Sequence, residues 1–142
     1  KRNLVSLREE MSLVKDHLDL EKIRYEERLD IRYHLDPSCM DILIPPMTLQ
    51  TLVENAIKHG ISKLSKGGLI NISIGCKGDL VEILIENTGN VSNKDASSMG
   101  IGMQNVNRRM DLIYGTNFQL QLEQIDPDTV RATLELPKTN RL

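Results

Sequence analysis

The sequence has no tryptophan, a single phenylalanine and only two cysteines among its 142 residues. It lacks the aromatic side chains on which bases stack, and its 18 basic residues are outnumbered by 20 acidic ones, so we expect no nucleic-acid partner. No stretch approaches the roughly 20 consecutive apolar residues that cross a bilayer. Cys39 and Cys76 stand apart without CxxC spacing, which argues against a disulfide framework or a zinc site. These absences favour a globular unit in a reducing, cytosolic compartment.

An apolar stripe runs through the N-terminal segment, with alternating steps of three and four residues. Its members are Leu4, Leu7, Met11, Val14 and Leu18. This is the spacing of the a and d positions of a coiled coil. Two interpretations remain open: the stripe is the end of a dimerisation helix and meets a second chain, or it packs on its own domain. We divide the chain into residues 1–27, the end of a dimerisation helix region with its linker, and a domain at 28–142.

The remaining periodicity predicts an alternation of strands and helices. Apolar side chains recur at every second position in the strands and at helical spacing elsewhere. The predicted strands span 29–35, 70–74, 81–87, 118–123 and 130–136, and the predicted helices span 49–59 and 103–113. The strands on either side of residues 77–79 are expected to form a hairpin. The order predicts an α+β fold, a two-layer sandwich with a mixed, mostly antiparallel sheet and helices on one face.

The first of these helices combines an apolar stripe with a polar face. The polar residues opposite the stripe in LQTLVENAIKHG are Thr51, Glu54, Asn55 and Lys58. Asn55 offers a hard oxygen ligand for Mg²⁺, and Lys58 offers a positive charge to phosphates. This face is suited to a metal-bound phosphate.

A second phosphate feature lies in the segment MGIGMQN. Gly100 and Gly102 stand at the start of the next predicted helix, where unpaired backbone N–H groups and the helix dipole attract anions. Because such a glycine pair also occurs in ordinary turns, the prediction depends on its combination with Asn55. Together the two segments predict a site for a nucleotide phosphate and magnesium.

The second strand of the hairpin ends in a polar residue that is predicted to face the core. Counting by twos from Ile83 and Ile85 reaches Asn87, so its amide points to the side of the buried isoleucines. Such a group needs a partner, either neighbouring backbone or a bound ligand. Gly89 follows, and the polar residues from 90 to 98 are interpreted as a mobile loop.

In the order LxxLVENAIKHG, ENTG and GIGMxNVxxRMxLIYG, these motifs resemble the C-terminal ATP-binding domain of LytS-type sensor histidine kinases, which belong to the GHKL superfamily with the Bergerat fold. The resemblance extends upstream to LxxEKIRYEERL and LIPPMTLQ and spans nearly the whole chain. It implies an ATP-dependent protein-histidine kinase with ATP and Mg²⁺ as cofactors. It also implies a response regulator as partner, a homodimer formed through the N-terminal helix, and a parent protein in the inner membrane, of which this is a cytoplasmic domain.

The resemblance also implies a role for each motif residue. Glu54 orients or deprotonates the attacking imidazole, and Lys58 and His59 approach the phosphates. Asn55 holds Mg²⁺. The other implied ATP-binding residues are Asn87, Thr88, Gly89, Gly100, Ile101, Gly102 and Asn105.

Two positions depart from the family pattern. Asn87 stands where the family has an acidic residue that reads the adenine amino group. An amide oxygen still accepts that hydrogen bond but without the charge-assisted contribution. Val91 stands where the family has a further glycine. The adenine contact is therefore expected to lose part of its usual support.

The sequence offers no phosphoacceptor. Its three histidines are His17, His34 and His59, and none stands in the acceptor motif of these kinases. His17 is interpreted as a solvated helix residue and His34 as a surface residue of a strand. The acceptor is expected upstream of Lys1, so the chain should bind ATP without completing phosphotransfer alone.

Two other functions remain open. One is a non-catalytic nucleotide-sensing or dimerisation module, in which the two departures mark a degenerate adenine site. The other is a GHKL ATPase of the gyrase or chaperone kind, which predicts ATP turnover by the isolated domain; the short lid at 90–102 disfavours it. Asn55, Gly100 and Gly102 favour the kinase.

Overall fold

The chain forms a mixed sheet with helices on one face in a computed structural model that describes residues 3–90 and 100–139. Its elements are β1 (Val5–Ser6), α1 (Leu7–Tyr25), β2 (Leu29–Leu35), β3 (Leu43–Ile44), α2 (Thr48–His59), β4 (Gly68–Lys77), β5 (Leu80–Thr88), α3 (Ile101–Tyr114), β6 (Gln119–Asp126) and β7 (Thr129–Pro137). Short 3₁₀ turns cover Glu26–Arg28, Pro37–Cys39 and Ile61–Lys63. None of the described helices has the length and hydropathy needed to cross a bilayer.

The large sheet has five strands in the order β2-β4-β5-β7-β6. β2 and β4 run parallel, and the other neighbours are antiparallel. A parallel pair needs a crossover, and the segment containing α2 provides it. The predicted hairpin is present as β4 and β5, with Ile72 opposite Ile85. The predicted α+β two-layer fold is confirmed; the pairing of β1 with β3 was not predicted, because strands of 2 residues leave no periodicity.

The two faces of the sheet differ in polarity because side chains alternate along each strand. The buried residues under the helices include Ile70, Ile72, Ile74, Val81, Ile83, Ile85, Ala132, Leu134 and Leu136. The other face is polar. There Arg131 on β7 donates to Oε2 of Glu86 on β5, from Nε at 2.8 Å and from Nη2 at 2.6 Å. The sheet thus buries one face only, as the alternation in the sequence predicts.

The apolar stripe of α1 lies in the core of this same domain. Its members within the helix are Leu7, Met11, Val14 and Leu18, each at most 2% exposed. Of the two interpretations, packing on its own domain describes this stripe. Leu4 lies before the helix, because Ser6 caps it by accepting from the backbone N–H of Glu9 at 3.1 Å. The division of the chain at residue 27 stays a prediction, and a dimer contact of α1 must use another face.

Cys39 and Cys76 form a disulfide, so the prediction against one is wrong. The parallel pairing explains it, because β2 and β4 end side by side. The backbone N–H of Asp36, just after β2, donates to the carbonyl oxygen of Ile74 on β4 at 3.0 Å. The turn at Pro37–Cys39 then brings Cys39 to Cys76 near the end of β4. The cysteines are 37 residues apart, and no local spacing indicates their pairing.

Replacing Leu18 by alanine tests whether α1 is part of the core. We expect Leu18→Ala to lower the free energy of unfolding by about 2–4 kcal/mol, because it removes buried methyl groups and leaves a cavity. Leu20 on the same helix is 66% exposed. Leu20→Ala is therefore the matched control and should change the free energy by less than about 0.5 kcal/mol. Urea unfolding measures both, and equal effects would contradict the packing of α1 on this domain.

Candidate functional site

Different faces of α2 contact different neighbours. The apolar stripe is buried as predicted and comprises Leu49, Leu52, Val53, Ala56 and Ile57. A second face lies against the start of α3. A Cβ on Gly102 would lie 3.2 Å from Cγ2 of Thr51, and a Cβ on Gly100 would lie 3.4 Å from Nε2 of His59. Asn55 lies between Thr51 and His59 at helical spacing, so it shares this face. The structure therefore brings Asn55 and His59 to the glycine turn of α3.

Glu54 and Lys58 lie on the other side of α2, toward α1. Both are exposed. They line a cavity of about 340 Å³ whose walls on α1 are His17, Glu21, Arg24 and Tyr25. The interpretation of His17 as a solvated residue is corrected, because it is half-buried, with Nε2 3.8 Å from Oε2 of Glu21. The predicted catalytic residues are thus divided, with His59 toward α3 and Glu54 and Lys58 toward α1.

Asn87 lies at the end of β5 and faces the helices, as predicted. It is 6% exposed, and its Nδ2 donates to the carbonyl oxygen of Thr88 at 3.0 Å. A Cβ on Gly60 would lie 2.0 Å from this Nδ2 and 2.7 Å from the carbonyl oxygen of Ala56. The end of α2 therefore approaches the amide only because residue 60 lacks a side chain. Gly60 directly follows the predicted helix 49–59, a position where glycine is common, so nothing in the sequence indicated this contact.

Hydrogen bonds also fix the end of β5 that presents Asn87. The backbone N–H of Gly89 donates to the carbonyl oxygen of Asp128 at 2.8 Å, in the turn between β6 and β7. Nε2 of Gln124 donates to the carbonyl oxygen of Gly89 at 3.1 Å. The strand end is therefore tied to its neighbours in the sheet immediately after Asn87.

The start of α3 has the features of an anion site. Gly100 is the N-cap residue and provides no side-chain cap, so the N–H groups of the first turn point out of the helix end. Ile101 is 78% exposed, and Gly102 and Asn105 are exposed as well. Most of the predicted lid, residues 91–99 with Val91, lies outside the described residues.

Asn55 suits magnesium by its chemistry and by its place. Its amide oxygen is a hard donor, the side chain is half-buried, and its face of α2 meets the first turn of α3. Among residues 3–90 and 100–139, no group of three or more histidine, cysteine, aspartate or glutamate side chains could hold a metal by itself. A magnesium ion at Asn55 would share its coordination with water and nucleotide oxygens, which is usual for Mg²⁺.

Known proteins of similar sequence include sensor kinases. The chain is 31% identical over 144 residues to the sensor protein LytS of Staphylococcus epidermidis, which covers 93% of this chain and 24% of LytS. It is 30% identical over 142 residues to the sensor histidine kinase/phosphatase LytS of Staphylococcus aureus, which covers 91% of this chain and 24% of that protein. The chain thus spans about a quarter of the length of these curated relatives. No protein-family model matches the sequence.

Solved structures with a similar fold include histidine kinase catalytic domains. The catalytic domain of histidine kinase ThkA superposes with a TM-score of 0.72 over 99% of this chain and 97% of its own, at 18% identity. The mycobacterial sensor histidine kinase MprB superposes with a TM-score of 0.67 over 98% of this chain and 99% of the solved chain, at 14% identity. The architecture implied by the motifs is the fold of these domains.

Gly60→Ala should disturb the contact between the end of α2 and Asn87. The added Cβ would overlap Nδ2 of Asn87 and crowd the backbone oxygen of Ala56. We therefore expect the free energy of unfolding to fall by about 1–3 kcal/mol. The control is Gly75→Ala on β4, where a Cβ meets no atom within 4 Å, and its effect should stay within about 1 kcal/mol. Urea unfolding compares the variants, and a Gly60→Ala protein as stable as wild type would contradict the described contact.

Proposed function

We propose that this chain, a homologue of the LytS sensor histidine kinases, is the catalytic ATP-binding domain of such a kinase. It binds Mg·ATP and donates the γ-phosphate to a histidine located upstream of Lys1. The observation that supports this most is the meeting of the Asn55 face of α2 with the glycine turn that begins α3. A nucleotide between these helices would direct its phosphates to that turn and its adenine to Asn87 at the end of β5.

The phosphates would bind at the start of α3. Backbone N–H groups from Ile101 onward donate to phosphate oxygens, and Gly100 and Gly102 let the backbone come close. Asn55 contributes its oxygen to Mg²⁺, which neutralises phosphate charge when bound. His59 lies beside Gly100 and supplies a further donor. This arrangement uses the face of α2 that meets α3.

The adenine contact would depend on the amide oxygen of Asn87. The NH₂ group of Asn87 donates to the carbonyl oxygen of Thr88, so the oxygen is the atom that would accept from the adenine amino group. Gly89 and Asn105 complete the proposed nucleotide contacts. Because Asn87 carries no charge, this contact is weaker than one made by a carboxylate.

The acceptor histidine would approach from the α1 side of α2. Glu54 and Lys58 are exposed on α2 next to the Asn55 face, so we place the acceptor imidazole beside them, over the exposed side of α2, where it can reach a γ-phosphate held at Asn55. Its nitrogen forms a bond to the γ-phosphorus as the bond to the β–γ bridging oxygen breaks, and ADP leaves. Glu54 orients the imidazole or takes its proton, and Lys58 offsets negative charge. Catalysis is then mainly positioning and charge neutralisation, as in phosphoryl transfer generally.

The partners in this proposal are a second copy and a response regulator. Exposed apolar residues form another stripe on α1, at helical spacing. They are Leu13, Leu20 and Ile23, with 56%, 66% and 74% exposure. This stripe, and not the buried one, would meet the second chain of a homodimer in the longer parent protein. We further propose, from the resemblance and not from the cysteines, whose pairing removes that argument, that the parent is an inner-membrane protein, of which this is a cytoplasmic domain.

One observation favours a non-catalytic nucleotide-sensing or dimerisation module instead. The NH₂ group of Asn87 already has a partner in the protein's own backbone, so this buried amide is held in place without a nucleotide. In that case the fold would persist while nucleotide affinity depended little on Asn87.

Calorimetric titration with a non-hydrolysable ATP analogue tests the phosphate end of the site. We expect wild type to bind in the presence of Mg²⁺, and Asn55→Ala to bind about ten- to a hundredfold more weakly, because the metal loses its protein ligand. Chelation of Mg²⁺ should therefore weaken wild type more than Asn55→Ala. Asn107→Ala removes an exposed amide of α3 and is the control; it should bind as wild type does.

Asn87→Ala in the same titration separates the two candidate functions. A working adenine contact predicts about five- to a hundredfold weaker binding, because a buried acceptor is lost. The degenerate module predicts no change. Folded wild-type protein that binds no nucleotide at millimolar concentration would contradict the catalytic proposal, and rapid ATP turnover by the chain alone would favour an ATPase.

A further inference from the structure

The first turn of α2 is capped by a residue from another helix. Met47 is the N-cap residue, with a φ of 70°, and its own side chain makes no capping bond. Glu10 of α1 takes that role. Its Oε2 accepts from the backbone N–H of Met47 at 3.1 Å, and its Oε1 accepts from that of Leu49 at 3.0 Å. Glu10 is only 3% exposed, so a buried carboxylate joins the two helices.

This carboxylate fixes the position of the first turn of α2 and stabilises its backbone conformation. Helix N-termini leave N–H groups without partners, and a carboxylate there also interacts favourably with the helix dipole. Hydrogen bonds to an ionised acceptor are stronger than neutral ones. Positive φ is uncommon for a residue other than glycine, so the bond to Met47 also holds a backbone conformation that the residue would otherwise seldom adopt.

α3 is joined to the same turn from the opposite side. Arg109 of α3 donates to the carbonyl oxygen of Pro46, immediately before Met47. The start of α2 is therefore held by α1 through Glu10 and by α3 through Arg109. Because α2 and α3 face each other across the proposed nucleotide site, this turn sets the position of α2 along its own axis. That position determines the distance between Asn55 and the glycines of α3.

We propose that Glu10 is a positioning residue for the nucleotide site, acting through the first turn of α2 on the placement of Asn55 against the start of α3. The inference rests on the proposed function. Glu10 touches no nucleotide in this arrangement. Removing its carboxylate frees the turn at Met47 and lets α2 shift, so the metal and phosphate end of the site loses its geometry. The adenine end depends less on this turn, because hydrogen bonds within the sheet fix the end of β5 and α2 meets Asn87 only at its far end, at Gly60.

Glu10→Gln in the full chain is the first test. Glutamine has the same size, but its single oxygen cannot accept from both N–H groups, and its NH₂ group would face the other one. NMR titrations compare affinity for a Mg·ATP analogue with affinity for adenosine, at a temperature where the variant is folded. We expect the Mg·ATP analogue to bind about three- to tenfold more weakly and adenosine to stay within about twofold of wild type.

The matched control is Glu9→Gln, because Glu9 is the exposed neighbour of Glu10 on the same helix. It should leave both affinities within about twofold of wild type. Glu10→Asp is the second variant: it keeps the charge but shortens the side chain, so it cannot reach both N–H groups and should weaken the Mg·ATP analogue in the same way. If Glu10→Gln fails to fold, Glu10→Asp provides the test.

A merely structural role for Glu10 would not change the ratio of the affinities for the Mg·ATP analogue and for adenosine, since general destabilisation weakens the binding of both alike. Folded Glu10 variants that bind the Mg·ATP analogue as wild type does, or that lose affinity for both ligands equally, would overturn this inference while leaving the proposed function in place. A folded wild type that binds neither ligand would overturn the proposed function and this inference together.

Discussion

The packing of α2 on the sheet is the constraint on which the rest of the site depends. Its apolar stripe must be buried against the isoleucine face of the sheet, since each of its leucine, isoleucine and valine side chains gains about 1.5–3 kcal/mol on burial. This fixes the rotation of the helix about its axis. Asn55 and His59 must then face α3, while Glu54 and Lys58 must face α1. The division of the polar residues between two sides is a consequence of helical spacing.

The position of α2 along its axis has a different origin. Apolar burial is not directional, so it determines the rotation of the helix about its axis better than its position along that axis. Hydrogen bonds are directional, and those at the first turn of α2 come from Glu10 and Arg109 on its two neighbouring helices. At the other end of α2, Gly60 allows contact with Asn87. The helix that joins the two ends of the proposed site is thus held at both of its own ends.

Local periodicity was sufficient to predict the helices and strands in which apolar side chains recur at a fixed spacing. The alternation in β4 and β5 and the stripe of α2 predicted these elements, and counting by twos predicted the inward direction of Asn87. Contacts between distant segments leave no such signal. The pairing of Cys39 with Cys76 requires knowing that β2 and β4 are parallel. A coiled-coil seam and a stripe packed on its own domain have the same spacing, so the sequence could not decide between them for α1.

The same limit applies to the candidate site. Glu10 lies among charged residues of α1, and nothing in that segment indicates that it is buried or that it caps a helix almost 40 residues away, as its contact with Leu49 at a separation of 39 shows. The motif residues themselves were identifiable, but their division between two faces of α2 required the neighbouring helices.

In the proposed function, the Asn55 face and the start of α3 share one metal-bound nucleotide. Mn²⁺ in place of Mg²⁺ tests it most directly, because this ion broadens the NMR signals of nearby atoms. With an ATP analogue bound, we expect broadening of the Asn55 side-chain amide and the backbone amide of Gly102, with Asn117 beyond the far end of α3 unaffected. A sharp Asn55 signal in the nucleotide-loaded protein would contradict the account.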